Sequence, residues 1–539
     1  MQDVWPSDIP VLIVGGSLNG LSAALLLARR SVPCLLVERH PDTSIQYKFR
    51  GISPRTMEIY RAAGIEDEIR ARDLIDDRAA SIARVKNLSA PDISWQGVPW
   101  SDTSDLGSTP AATCDQDQLE PILRAHAERL GASTRFNAEL VSIEQDDERV
   151  IARIRCRATG ALHTVRASYL IAADGTESSI RDRLRIGRHG PGVLQHWMNV
   201  IFETDLSATL EGRQIRAVFV LDINGTFVPR GDGRWLMAVQ YAPERGERPE
   251  DFTASHCEDL IRRGAGRSDV KVSIIDARQW DAAANVADRF VAGRVLIVGD
   301  AAHVMPPTGG FGGNTGIQDV HNLAWKLDAV LRGVAVPGLL QTYDQERRPT
   351  ADATMAQALA RLQAWFKDPS RRLPPAEPIV DDNHVIFGYR YRAGAFIDDE
   401  SGDIRDVFEN PREPSGRPGS RAPQMMVEHN GTRVSTIDLF ANQWVLFAGP
   451  RGDVWRNAIR TVPTARAFEV MDYQTGRNGN LHDVHERWSK LFGADADGAV
   501  LIRPDGMIAW RARTAGHPGA GFGDIFEHLS FKSPASMNR

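Results

Sequence analysis

Val11-Leu12-Ile13-Val14-Gly15-Gly16-Ser17-Leu18-Asn19-Gly20 decides the fold. The apolar, β-branched start reads as a buried strand, the glycines as a tight turn, and the Ala/Leu-rich run from Leu21 to Arg30 as the helix that follows. Leu35-Leu36-Val37-Glu38 supplies the next strand, and the whole is a βαβ unit. Gly15 permits the turn and Gly20 permits close packing of helix on strand. The helix N-terminus, around Leu18 and Asn19, offers N–H groups and a positive dipole end to a pyrophosphate. Glu38, with Arg39 beside it, is placed for a ribose. Ser17 stands where the usual fingerprint has its second glycine, so the match is incomplete, although a small side chain still lets phosphates approach.

A second stretch completes the site that the first opens. Arg294-Val295-Leu296-Ile297-Val298 reads as a buried strand and leads into Gly299-Asp300-Ala301-Ala302-His303 and Pro306-Pro307-Thr308-Gly309-Gly310-Phe311-Gly312-Gly313-Asn314-Thr315-Gly316. Asp300 lies where a carboxylate accepts hydrogen bonds from ribityl hydroxyls. Pro307, Gly310, Gly312, Gly313 and Asn314 leave bare backbone and a helix N-terminus for a flat, anionic ring. These glycines alone suit an unliganded turn equally well; the βαβ unit turns the reading toward FAD. A third element, Tyr169-Leu170-Ile171-Ala172-Ala173-Asp174-Gly175-Thr176-Glu177-Ser178-Ser179-Ile180-Arg181, ends a strand on Asp174 and Gly175. By itself it reads as an ordinary turn with a serine N-cap.

Together the three motifs resemble the class A flavoprotein monooxygenases, the phenol and aromatic polyketide hydroxylases. The dinucleotide fingerprint, D-G-x-x-S-x-x-R and G-D-A-A-H-x-x-P-P-x-G-G-x-G-x-N follow in the family's order, the last two without a gap. Gly51 to Glu58 and Asp115 to Arg124 bring the chain nearest to the Streptomyces-type polyketide hydroxylases. The resemblance implies that Gln116 and Arg124 contact FAD. The family's flavin-contacting arginine is replaced by Lys48, which keeps the charge without the planar fork, and an arginine stands at Arg50.

Length and composition fit this reading. A chain of 539 residues with 42% hydrophobic content forms two to four domains. A net charge of -6 gives no pull toward nucleic acid or anionic membrane. The four cysteines, Cys34, Cys114, Cys156 and Cys257, include no C-x-x-C pair, which argues against a zinc site or a disulfide framework and for a reducing cytoplasm. Ile9 to Ala28 is uncharged, but Asp3 and Asp8 precede it and glycines interrupt it, so a signal peptide and a membrane span are both rejected.

The fold class expected is α/β. A discontinuous, Rossmann-like FAD domain occupies 1–186 and 288–366, a β-sheet substrate domain 187–287, a linker 367–415 and a thioredoxin-like domain 416–539. Strand-like Trp197-Met198-Asn199-Val200-Ile201-Phe202-Glu203 and Arg234-Trp235-Leu236-Met237-Ala238-Val239-Gln240-Tyr241 belong to the sheet that roofs the flavin in the family. Trp197, Phe202, Phe227, Trp235 and Tyr241 are therefore candidates to line the substrate pocket, against core packing as the competing reading for each. In the tail, Asp505-Gly506 marks a hairpin between two apolar strands. The absence of C-x-x-C there points to a structural or interface role.

What the resemblance implies is a single-component monooxygenase. FAD is reduced by NADPH or NADH and reacts with O2 to a flavin C(4a)-hydroperoxide, which hydroxylates a phenolic ring of a polyketide-type natural product. Hydroxylation of a simple or chlorinated phenol, oxygen insertion of the Baeyer–Villiger type and a non-catalytic flavin protein are the alternatives. A homodimer is expected, with neither nucleic acid, metal nor membrane as partner. No residue is assigned as catalytic base; His303 is a candidate by position, as are His196 and His321.

Overall fold

A computed structural model describes residues 5–46, 48–73, 81–96, 102–206, 215–231, 233–365, 375–399, 406–476, 479–483, 485–515 and 521–531. The strand Asp8–Val14 is buried over Val11 to Val14, and it pairs in parallel with Cys34–Val37 on one side and Leu162–Ala172 on the other. The parallel order continues to Ser133–Arg135 at one end and Val295–Ile297 at the other. Parallel strands buried on both faces need continuous apolar runs, which Val11 to Val14, Cys34–Val37 and Val295–Ile297 supply. The helix Leu18–Arg29 packs on this sheet, and Phe311–Leu331 packs on that helix. All the motif turns thus leave the carboxyl ends of strands, the side where open α/β sheets bind ligands.

A second eight-stranded sheet stands over that edge. Its order runs His303–Val304, Ser273–Ala287, Arg188–Glu203, Arg234–Tyr241, Gly225–Gly231, Ile215–Val220, Ser81–Val85 and Ser94–Gln96. The last two strands correct the expected boundaries. Assigned by sequence to the first domain, Ser81–Val85 pairs in parallel with Ile215–Val220 and belongs to the second sheet. One face of the sheet covers the helix Ala254–Ala265 through Met198, Val200, Phe202, Phe227, Trp235, Met237 and Val239.

The tail folds around a four-stranded sheet in the order Met471–Gln474, Val445–Ala448, Ala499–Ile502, Ile508–Ala512, with the first pair parallel and the others antiparallel. This is the thioredoxin-like arrangement, closed by the helix Phe522–Leu529. The hairpin at Asp505-Gly506 turns with Gly506 at φ 78°. The segment expected as a linker is instead fastened to the first domain. Val385, Ile386 and Phe387 enter its core, and the Ala395 N–H donates to Glu346 Oε1 at 2.7 Å.

A buried charge cluster closes the seam between the first and last domains. Arg503 donates to both oxygens of Glu346, at 2.7 and 2.9 Å, and its Nε donates to Asp505 Oδ1 at 3.0 Å. Lys326 Nζ lies 2.8 Å from Glu346, and Asn322 Nδ2 reaches Asp505 Oδ2 at 3.2 Å. Burial opposes ionisation of Glu346, but Arg503 and Lys326 overcome it and hold the carboxyl below its ordinary range. Burial lowers the Lys326 ammonium to about 8 against the pull of Glu346. Trp325 and Trp444 meet edge to face across the same seam, 5.4 Å between centroids.

Candidate functional site

The first turn is as crowded as its glycines require. Gly15 has φ 110°, and a Cβ there would lie 2.2 Å from the Ala173 carbonyl oxygen; one on Gly20 would lie 1.8 Å from the Gly15 oxygen. Ser17 takes the N-cap position of the helix Leu18–Arg29 without capping it. Its hydroxyl is drawn aside, donating to Glu120 Oε1 at 2.6 Å and accepting from Gln116 Nε2 at 2.9 Å. The departure from the glycine fingerprint is thereby absorbed, because the hydroxymethyl points at the Glu120 carboxyl, which also accepts from the Leu18 N–H at the start of the helix. Glu120 also accepts from Gln116 Nε2 at 2.6 Å and from the Ser44 N–H at 2.9 Å, and burial pushes its carboxyl upward against these bonds. Sequence reasoning missed Glu120, four residues beyond Gln116 on one helix face. Glu38 accepts from the Gly16 N–H at 2.6 Å and the His40 N–H at 2.9 Å, at the end of its strand as expected for a ribose ligand. Arg39 is exposed beside it.

The second and third motifs are one construction. Asp174 accepts from Ser178 Oγ at 2.5 Å and from the Ile180 N–H at 3.2 Å, and Gly175 turns the chain at φ 83°. Arg181, fully buried, then donates to the Ala301 carbonyl at 3.1 Å and the Thr176 carbonyl at 3.0 Å. Asp300 precedes Ala301 in a tight turn. Its side chain is open to solvent, yet the walls around it desolvate it and push its carboxyl above the ordinary range, with His303 opposing. The Asn19 side chain is wedged against this turn: a Cβ on Gly299 would lie 1.9 Å from Asn19 Nδ2. Gly310, at φ 66°, is the N-cap of the helix Phe311–Leu331 and offers no side-chain cap. Pro307 and Gly310 are exposed and Gly312 and Gly313 half-buried, so the backbone expected against the ring is accessible. Asn314 uses its side chain to clamp the chain at Gly51 and Ser53, accepting from the Ser53 N–H at 2.9 Å and donating to the Gly51 carbonyl at 3.0 Å.

Several sequence candidates land elsewhere. His303 is buried, with Nε2 2.6 Å from Asp319 Oδ2, and Arg347 Nε donates to the other Asp319 oxygen at 2.8 Å. Burial opposes ionisation of Asp319, but His303 and Arg347 hold it below the ordinary range. The Gly299 N–H also donates to Asp319 at 3.3 Å. His303 therefore belongs to a buried hydrogen-bonded cluster with Asp319 and Arg347 that braces the Asp300 turn, and its candidacy as a base is withdrawn. His196 pairs with Asp281 at an exposed site, and burial and Arg55 lower His321 to about 3. Arg124 lies half-buried over the Phe136 ring, bonded to Asp42 and Glu128. Arg50 is buried against Asp115 and donates to the Pro229 carbonyl at 2.8 Å, tying the two sheets together. Lys48 is exposed, and its charge acts with His303 in pulling the Asp300 carboxyl down against burial.

The roof sheet divides the five substrate candidates by parity. Residues directly opposite in an antiparallel ladder share a face, and successive residues alternate. Phe202, Phe227, Trp235 and Tyr241 belong to the face turned toward the helix Ala254–Ala265. Phe202 and Phe227 meet edge to face in that core, and Tyr241 packs on Phe252. These four are core residues, not pocket residues. Trp197 is on the opposite face, which meets the first domain where Gln46 contacts Asp276 and Phe219 contacts Trp365. The face carries Trp280, stacked on Trp197 with 5.9 Å between centroids and bonded through Nε1 to Asn199 Oδ1 at 2.7 Å. It also carries Ile201, Val228 and Leu236.

An FAD fits this arrangement. The two helices that open onto the site, Leu18–Arg29 and Phe311–Leu331, receive no side-chain cap from their N-cap residues Ser17 and Gly310. Uncapped N–H groups call for an anionic ligand. No cluster of metal-ligating side chains occurs among the described residues, and none of their helices is long and apolar enough to cross a membrane. The family model described as FAD binding domain matches residues 8–358, and that described as aromatic-ring hydroxylase, C-terminal, matches 415–529. The chain is 39% identical over 525 residues to aklavinone 12-hydroxylase RdmE of Streptomyces purpurascens, covering 94% of this chain and 96% of that one. It is 37% identical over 525 residues to 4-methyl-5-nitrocatechol 5-monooxygenase of a Burkholderia species, covering 94% of each. The ternary complex of aklavinone-11 hydroxylase with FAD and aklavinone superposes with a TM-score of 0.90 at 36% identity, over 97% of this chain and 99% of that one. The chain belongs to the FAD-dependent aromatic-ring hydroxylases.

Proposed function

We propose that the protein hydroxylates a phenolic ring of an aromatic polyketide, consuming NAD(P)H and O2. The convergence of the Gly15, Asp174 and Asp300 turns on the side of the first domain that the second sheet covers carries this reading. It is supported by the likeness to aklavinone hydroxylases over nearly the whole chain. Bound FAD supplies the activation of dioxygen and its delivery to the ring. Asp300 would hold the ribityl chain, and the helix N-terminus at Gly310 would stabilise negative charge on the reduced ring. Ile201, Val228 and Leu236, each nearly inaccessible, keep water from the roof side of the reaction, where exposure would divert reducing equivalents to peroxide. Cys34, Cys114 and Cys257 are buried thiols in no disulfide, which supports a reducing, cytoplasmic setting.

The test is NAD(P)H oxidation by the FAD-loaded protein against phenols of one to four rings, with product mass recorded. Stimulation together with a mass gain of one oxygen atom is expected from polycyclic phenols; bound flavin with no stimulation by any of them would overturn the reading. The nitrocatechol monooxygenase relative favours a single-ring phenol as the second reading.

A further inference from the structure

The flavin-facing side of the second sheet has a row of small residues bounded by aromatic ones. Asn199, Ala238, Thr226 and Phe219 lie opposite one another on four successive strands and therefore share one face. Ala238, Thr226 and Phe219 are half-buried, so protein atoms cover this row only in part. Along one side runs the apolar row of Ile201, Leu236 and Val228, with Ala217 packed against it. Along the other, Trp280, Trp197 and Gln240 lie opposite one another. Phe219 closes the far end, edge to face with Trp365 at 5.4 Å, and Trp365 is itself 48% exposed.

From Asn199 to Phe219 the row crosses three strand spacings of about 4.8 Å each, a length of roughly 14 Å. A single ring would leave most of that floor wet, whereas about three or four linearly fused rings would cover it. We infer that this row is the substrate floor, that the substrate lies with its long axis across the strands, and that Ala238 and Thr226 set specificity for a flat, polycyclic aromatic by their small size. The inference rests on the hydroxylase reading above and adds ring count and orientation to it. Flat aromatics are recognised here by shape and stacking, with the Asn199 amide, already oriented by Trp280, at one end of the row.

The test compares the parent with Ala238→Leu and, on the neighbouring strand, Thr226→Leu. Each is FAD-loaded and assayed with a tetracyclic phenolic quinone and with a single-ring catechol; binding is followed in parallel by quenching of tryptophan fluorescence. Extra methylene groups in a close-fitting pocket discriminate by roughly 10- to 200-fold. The ratio of kcat/KM for the tetracycle to that for the catechol is expected to fall by at least about tenfold in both variants, with flavin content unchanged. An unchanged ratio in two folded, flavin-loaded variants would overturn the inference and leave the hydroxylase reading standing. Tetracycle binding that the variants weaken, without NAD(P)H consumption in the parent, would uphold the floor and overturn the hydroxylase reading. A parent that binds the catechol in preference to the tetracycle would overturn the inference outright.

Discussion

Replacing Arg503 by methionine should loosen the seam between the first and last domains. The guanidinium is fully buried, donates to both oxygens of Glu346 and to Asp505, and sits 5.1 Å from the centroid of Trp325. Removing one partner of a buried ion pair costs about 3–5 kcal/mol, because the remaining charge stays desolvated. Lys326 stays 2.8 Å from Glu346 and Asn322 still reaches Asp505, so the lower end, about 3 kcal/mol, applies. With a urea slope of about 1–3 kcal/mol per molar, the midpoint of the transition should fall by about 1 M or more. Trp325 and Trp444 lie at this seam, so tryptophan fluorescence reports it while flavin absorbance after gel filtration reports the first domain. Arg503→Lys, which keeps charge but not the fork, should fall between parent and methionine variant. A methionine variant with the parent's midpoint would refute the argument that this cluster holds the domains together.

Three further outcomes are expected. Asp300→Ala should weaken FAD retention, since hydrogen bonds to a charged group contribute about 1.5–3 kcal/mol each; full flavin occupancy after gel filtration would remove Asp300 from the site. Glu120→Ala strands the Ser17 hydroxyl, the Gln116 amide and the Ser44 N–H, at a cost of about 1–3 kcal/mol. Titration of the apoprotein with FAD should show the weaker binding, and an unchanged Kd would detach Glu120 from the phosphate turn. His189 bridges Asp288 and Asp352, and Asp288 leads in raising its pKa above 6.5. A raised imidazolium stabilises fully below the unfolded value and loses that contribution as pH rises through the folded one. The Tm deficit of His189→Gln should therefore be greatest below pH 6.5, where an exposed pair contributes about 0.2–1 kcal/mol, and should shrink as pH rises. A deficit independent of pH would refute the assignment.

The cofactor half of the molecule was legible because its chemistry is local. Each motif brings a strand, a turn and a helix start within about twenty residues, and Gly15, Asp174 and Asp300 fall where those turns require. The roof was legible as strands but not as faces. The stretch from Trp197 to Glu203 is apolar on both parities, since one face covers a helix and the other the site, so alternation gave no direction, and Phe202 and Trp235 were placed on the wrong one. The strand at Ser81–Val85 was missed because its partner Ile215–Val220 lies more than a hundred residues on, and Ser94–Gln96 joins the sheet only through it. The charge cluster was invisible for a related reason: Lys326, Glu346 and the Arg503–Asp505 turn sit on three segments far apart in the chain, and each alone reads as a surface charge.

The same alternation that obscured the roof has a consequence for how such enzymes diversify. Phe202, Trp235 and Phe227 keep the sheet on its own helix, while their immediate neighbours Ile201, Leu236 and Val228 meet the ligand side, so adjacent residues answer to separate demands. Mutations confined to one parity can reshape ring selection without disturbing the packing that keeps the sheet folded. A combinatorial library restricted to positions 199, 226 and 238 should thus yield mostly folded, flavin-bearing proteins with altered selectivity, a form of insulation through which one scaffold can acquire new aromatic targets by drift.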